Sequence, residues 1–175
     1  WRIFQVGERK LDFYRKGGDL LLQAFANVRA KSPAARLVMV TDGPIPVDLP
    51  RDGVQVLAPT YDRAFIADLY RQADVFVLPS RLETWGDVLL EAMAYGLPCV
   101  GVSGEAMDEI IDAEKTGFIV PAGDVEALAG ALGQLIGDKG LRVAMSRAAR
   151  QKVEERYTWE HVISQMLPAI SGLFE

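Results

Sequence analysis

Short, nearly uninterrupted apolar runs alternate with segments of helical periodicity along almost the whole chain, and this alternation restricts the fold more than any other feature of the sequence. Arg2 to Val6, Arg36 to Thr41, Gly53 to Leu57, Asp74 to Leu78, Pro98 to Val102 and Gly117 to Val120 read as strands. Runs this continuous predict strands covered on both faces. Helical patterns lie between them at about Gly18 to Lys31, Asp62 to Gln72, Gly86 to Tyr95, Met107 to Asp112 and Val125 to Ile136. Two more, Lys139 to Arg156 and Thr158 to Leu173, follow the last strand. Such alternation predicts an α/β fold, a parallel sheet with helices on both faces.

At 175 residues, half of them hydrophobic, the chain can bury one good core and reads as a single domain over 1–175. The net charge of -5 argues against a nucleic-acid partner, because neutralising many phosphates requires a basic surface. Cys99, with apolar neighbours on both sides, is expected to be a buried small hydrophobe in a reducing, cytoplasmic setting. The lone His161 is far in sequence from any Cys or Asp cluster, so no metal site is expected. No apolar run approaches the roughly 20 residues needed to span a bilayer. The chain opens on Trp1 and enters a strand at once, as a piece cut from a longer protein at a domain boundary would.

In an open parallel sheet, ligands bind at the carboxyl ends of the strands. The loop after the first strand carries Arg9, Lys10, Arg15 and Lys16 together with Gly7, Gly17 and Gly18, a concentration of cations and glycines that suits an anion such as phosphate. Read alone, RKGG is more often a solvated basic loop. There is no G-x-G-x-x-G after the first strand, no G-x-x-x-x-G-K-[ST] and no G-x-S-x-G, which sets aside dinucleotide oxidoreductases, P-loop NTPases and serine hydrolases.

The stretch RLETWGDVLLEAMAYGLP places Glu83 and Glu91 eight positions apart. Thr84 is expected to cap a helix whose first turn holds Trp85, Gly86 and Asp87, leaving Glu83 in the loop and Glu91 in the helix. At about 1.5 Å per helical residue the two carboxylates would stand roughly 12 Å apart, on the order of the ribose-to-hexose distance in a nucleotide sugar. The helix N-terminus at Gly86 would point N–H groups at the pyrophosphate between them. Glu91 would then hold the ribose and Glu83 the hexose, while Asp87 would fit beside a diphosphate only with its side chain turned away.

E-T-W-G-D-V-L-L-E-A-M-A-Y-G-L-P resembles the signature of the retaining glycosyltransferase group 1 family, two glutamates flanking seven residues with an aromatic-Gly pair. R-K-G-G-D-L-L-L-Q-A-F, D-G-P, A-D-V-F-V-L-P-S and the run from D-E-I-I to T-G-F-I-V-P-x-G-D fall in the family's order, so the resemblance covers nearly the whole chain. It implies the C-terminal, donor-binding half of a GT-B fold enzyme, two facing Rossmann-like domains, with the N-terminal acceptor-binding domain outside this sequence.

On that resemblance Lys16 corresponds to a lysine on the donor diphosphate, Glu83 to the glutamate near the transferred sugar and Glu91 to the one on the ribose. Arg9 and Arg15 are the candidates for the phosphate arginine, since Glu8 stands where the family often has Arg. Thr41 departs from the usual Gly of the G-x-G-P turn, and the loop of Ser103 to Met107 carries fewer glycines than its counterpart. The implied reaction is metal-independent transfer of a hexosyl group, with retention, from a UDP-, GDP- or ADP-hexose to a hydroxyl acceptor, with Lys16, an arginine and the helix N-terminus stabilising the departing diphosphate. A glycosidase reading fails, because a retaining hydrolase needs a second carboxyl about 5 to 5.5 Å away.

Two other readings stay open at this stage: a module that only binds nucleotide sugars, and a GT-B fold epimerase. The isolated domain is expected to be inactive without its N-terminal half. Tyr61, after the third strand, is either a stacker for the base or, as is more common, a packing residue. The stripe of Val162, Ile163, Met166 and Leu167 on the last helix must bury somewhere; in the family that helix tends to cross back toward the N-terminal domain. Many relatives act on lipid-linked acceptors, which leaves membrane association of the full protein open, at the cytoplasmic face.

Overall fold

The computed structural model describes residues 2–6, 12–42, 45–104 and 106–171. Its six parallel strands are β1 (Arg2–Val6), β2 (Arg36–Val40), β3 (Val54–Leu57), β4 (Val75–Leu78), β5 (Cys99–Val102) and β6 (Gly117–Val120), in the order β3-β2-β1-β4-β5-β6. The helices are α1 (Asp12–Arg15), α2 (Gly18–Lys31), α3 (Arg63–Gln72), α4 (Asp87–Ala94), α5 (Met107–Ile110), α6 (Val125–Gly137), α7 (Lys139–Arg156) and α8 (Trp159–Ser171). This is the doubly wound, Rossmann-like arrangement that the alternation predicts.

From β1 the chain steps outward to β2 and β3, then returns across the sheet to β4 and proceeds the other way to β6. Right-handed crossovers therefore put α2 on one face and α3 and α4 on the other. Helix α6 returns to pack against α2, and α7 packs against α4, so both faces are covered. The order reverses between β1 and β4, which pair through Ile3 with Val75 and Phe4 with Phe76. The crevice beyond their carboxyl ends is where such a sheet accepts ligands.

The centre of the sheet is the core: every residue of β4 and β5 is buried, Cys99 included. The expectation of two-sided burial fails for β3, whose middle residues are exposed. It is an edge strand, paired only with β2. The helix starts at α3, α6 and α7 follow from capping carboxylates: Asp62 accepts from the N–H groups of Ala64 and Phe65 at 3.0 and 3.1 Å, Asp124 from Ala127 at 2.9 Å and Asp138 from Leu141 at 2.9 Å. Helix α1 went unforeseen, since a single turn is too short to display a period.

Helix α4 corrects the expectation for Thr84. Gly86, not Thr84, is the N-cap, with φ 92° and ψ 46°, and the helix starts at Asp87. Glu83 turns inward, and the backbone must reverse before a helix can begin; Gly86 occupies the left-handed conformation that makes the reversal. Half of the interval from Glu83 to Glu91 is therefore loop, and helical rise does not give their separation. The stripe on α8 is exposed, with Ile163, Met166 and Leu167 each about half accessible. Among the described residues no helix is long and apolar enough to cross a membrane.

Candidate functional site

Two loops from opposite sides of the switch point are fastened together beyond β1 and β4. Gly17 has φ 71°, and a Cβ at this position would stand 2.0 Å from the Pro79 carbonyl oxygen, so only glycine lets the two backbones meet. The Arg81 N–H donates to the Arg15 carbonyl at 2.8 Å, and the Arg15 guanidinium donates to the Leu82 carbonyl at 3.3 Å. The Arg81 guanidinium forks onto both carboxylate oxygens of Asp19 at 2.7 Å, a geometry that fixes angle as well as distance. These contacts join residues 62 to 67 positions apart in sequence.

This fastening delivers Lys16 to Glu83. The Lys16 ammonium donates to Glu83 Oε2, and both side chains are largely withdrawn from water, at 13% and 8% exposure. Ser80 Oγ stands 3.5 Å from the same oxygen. A buried ion pair recovers its desolvation cost only with good geometry and added hydrogen bonds, and removing either member leaves an uncompensated charge. Lys16 and Glu83, singled out from separate motifs, thus form one constellation at the switch point.

Glu91 is placed differently. It lies on α4, exposed, and its Oε2 accepts a hydrogen bond from the Tyr70 hydroxyl at 2.9 Å. The two residues line an open cleft of about 550 Å³ between α3 and α4, reached by Val40 of β2 and by Pro59, Thr60 and Tyr61 of the loop after β3. Tyr61 is fully exposed there, which overturns its reading as a packing residue. Burial, and next the charge of Glu91, push the Tyr70 phenol well above its ordinary range, so it stays a donor.

Arg9 lies outside the described residues, as do Glu8, Gly43 and Pro44. Asp87 is exposed in the first turn of α4. The Leu89 N–H is already taken by the Gly86 carbonyl at 2.8 Å, so the helix end presents fewer amides than an open N-terminus would. Among the described residues no group of three or more His, Cys, Asp and Glu could hold a metal. Sequence reasoning missed Ser80, Arg81 and Tyr70. Tyr70 left a trace: Ile66 and Tyr70 stand four apart, one face of α3.

The family model described as Glycosyl transferases group 1 matches residues 2–138. The sulfoquinovosyl transferase SQD2 of Arabidopsis thaliana is 36% identical over 151 residues, covering 83% of this chain and 29% of that protein. The GDP-mannose-dependent monoacylated alpha-(1-6)-phosphatidylinositol monomannoside mannosyltransferase of Corynebacterium glutamicum is 35% identical over 162 residues, covering 83% of this chain and 41% of that one. Among solved structures, the sucrose-phosphate synthase of Thermosynechococcus elongatus superposes with a TM-score of 0.81 at 27% identity, over 99% of this chain and 45% of that one. The chain therefore spans about 30 to 45% of the length of these similar proteins.

Proposed function

The chain belongs to the group 1 glycosyl transferases, and from that footing we propose that it is the donor-binding half of a retaining transferase that moves a hexosyl group from a nucleoside diphosphate sugar to a hydroxyl acceptor. The observation that carries this reading is the Lys16–Glu83 pair, assembled at the switch point of the sheet by the loops after β1 and β4. A relative that depends on GDP-mannose by name, at 35% identity, supports a nucleotide-sugar donor. The matched segment covers only 29% and 41% of the two relatives' lengths, which leaves room for the second, acceptor-binding domain that this reading places N-terminal to the chain.

In this reading the bond from the anomeric carbon to the diphosphate oxygen breaks, and negative charge grows on the departing nucleoside diphosphate. Lys16 stabilises that charge: an ammonium has three donors and can hold Glu83 and a phosphate oxygen together. Arg9 or Arg15 and the start of α4 add to the positive field. Glu83 is already oriented by Lys16 and Ser80, and it accepts hydroxyls of the transferred hexose. Glu91, at the edge of the cleft, accepts the ribose hydroxyls, with Tyr61 beside the base. Charge stabilisation by these groups makes the reaction independent of a divalent metal, and the buried lone thiol supports a reducing, cytoplasmic compartment.

The test is calorimetric titration of the chain with UDP, GDP and ADP and their hexose conjugates in EDTA. One nucleotide is expected to bind without metal and so to name the base. In the full-length enzyme Glu83→Ala is expected to lower transfer by about 10² to 10³. Unchanged transfer by that variant, or binding that requires a divalent metal, contradicts the reading.

A further inference from the structure

Tyr70 is the only fully buried residue of α3. Its ring has little freedom: Tyr95 stacks on it at 5.3 Å between centroids with the planes 10° apart, and Phe76 of β4 packs against it at 5.8 Å. The Arg71 guanidinium, 5.7 Å from the Tyr95 centroid, covers that ring in turn. A ring held this way aims its hydroxyl in one direction, and the hydroxyl meets Glu91 Oε2 at 2.9 Å. Glu91 itself projects from the exposed face of α4. A glutamate there would otherwise sample several rotamers and lose that freedom whenever a ligand bound it.

We propose that Tyr70 is a positioning residue for the donor: its clamped hydroxyl fixes the Glu91 carboxylate in the orientation that accepts the ribose 2′- and 3′-hydroxyls. One donated hydrogen bond uses a single acceptor position of a carboxylate that has about four, so capacity for a vicinal diol is kept. Because the phenol keeps its proton, the contact persists across the physiological pH range. The proposal rests on the reading of Glu91 as the ribose ligand, and it assigns the α3–α4 seam a part in recognition as well as in packing.

Wild type, Tyr70→Phe, Glu91→Ala and the double variant are titrated with whichever of UDP, GDP and ADP the chain binds, and with the 2′,3′-dideoxy form of the same nucleotide. Phenylalanine preserves the stacking and removes only the hydroxyl. Tyr70→Phe is expected to weaken the ribonucleotide about three- to ten-fold, to leave the dideoxy nucleotide unchanged, and to add nothing in the Glu91→Ala background. If Glu91→Ala discriminates the diol and Tyr70→Phe binds as wild type, positioning by Tyr70 is overturned while the role of Glu91 stands. If Tyr70→Phe weakens both nucleotides alike, or adds fully to Glu91→Ala, Tyr70 only packs and the proposal is overturned. If Glu91→Ala treats both nucleotides as wild type does, the reading of Glu91 fails and the proposal with it.

Discussion

Glu83 and Glu91 are the same residue type eight positions apart, yet they occupy opposite environments. Glu83 is buried and paired with a buried ammonium; Glu91 is exposed and held by a neutral phenol. The first lies where two loops are locked together at the middle of the sheet, the second on the wall of an open cleft lined with aromatic rings. A buried ion pair in a tight corner is built for charge that must be matched at fixed geometry. An exposed carboxylate beside flat apolar surface is built for a neutral polyol attached to a ring. On the proposed function, the two ends would divide one elongated ligand between them, the charged and reacting part at the closed end and the nucleoside at the open one.

The largest effect should come from Gly17→Ala. A Cβ there would meet the Pro79 carbonyl at 2.0 Å, in a backbone conformation that L residues rarely adopt. The loops would have to separate, and urea denaturation should record a loss of about 3 kcal/mol or more. A loss under about 1 kcal/mol would mean that the closed end is not locked. Next in size is the contrast between the glutamates themselves. Glu83→Ala removes a carboxylate paired with a largely buried ammonium and should cost about 3 kcal/mol, whereas Glu91→Ala removes one hydrogen bond from an exposed residue and should cost about 1 kcal/mol. Equal losses in paired denaturation curves would erase the distinction.

The fold was legible almost throughout, because a parallel sheet buried on both faces writes itself as continuous apolar runs and its crossovers as helical periods. The edge strand β3 broke that pattern: paired only with β2, it leaves Gln55 and Val56, which point to opposite faces of the sheet, both exposed. At the site, charge and spacing pointed to Lys16, Glu83 and Glu91, yet the sequence could not indicate that Lys16 and Glu83 touch across 67 residues. That contact depends on the strand order, which brings the first and fourth strands side by side. The Thr84 cap was misjudged because the left-handed Gly86 starts the helix two residues later, leaving Thr84 in the loop that carries Glu83. Tyr70 was hidden because a buried tyrosine on an amphipathic helix looks like any other core residue until its hydroxyl has a partner.

A smaller effect distinguishes the ends by pH. The Tyr70 phenol is raised by burial first and by Glu91 second, so the folded protein retains a proton that the unfolded chain releases near pH 10. Its contribution is intact below about pH 10 and is lost as pH rises beyond it, at up to about 1.4 kcal/mol per pH unit. Stability measured from pH 8 to 11 should fall less steeply for Tyr70→Phe than for wild type; parallel curves would show that the phenol is not so held. The smallest stability effect belongs to Tyr61→Ala, within about 0.5 kcal/mol because the side chain is fully exposed. Nucleotide binding should nevertheless weaken about five-fold or more if a base stacks there.

The division of labour between the two ends is tested most directly by titrating Lys16→Ala and Glu91→Ala with a nucleoside diphosphate and with the same nucleoside lacking its phosphates. The account predicts that Lys16→Ala weakens the diphosphate about ten-fold or more and leaves the nucleoside untouched, while Glu91→Ala weakens both by the same factor. If Lys16→Ala binds the diphosphate as wild type does, or weakens the bare nucleoside equally, the closed end is not the phosphate site and the division is contradicted.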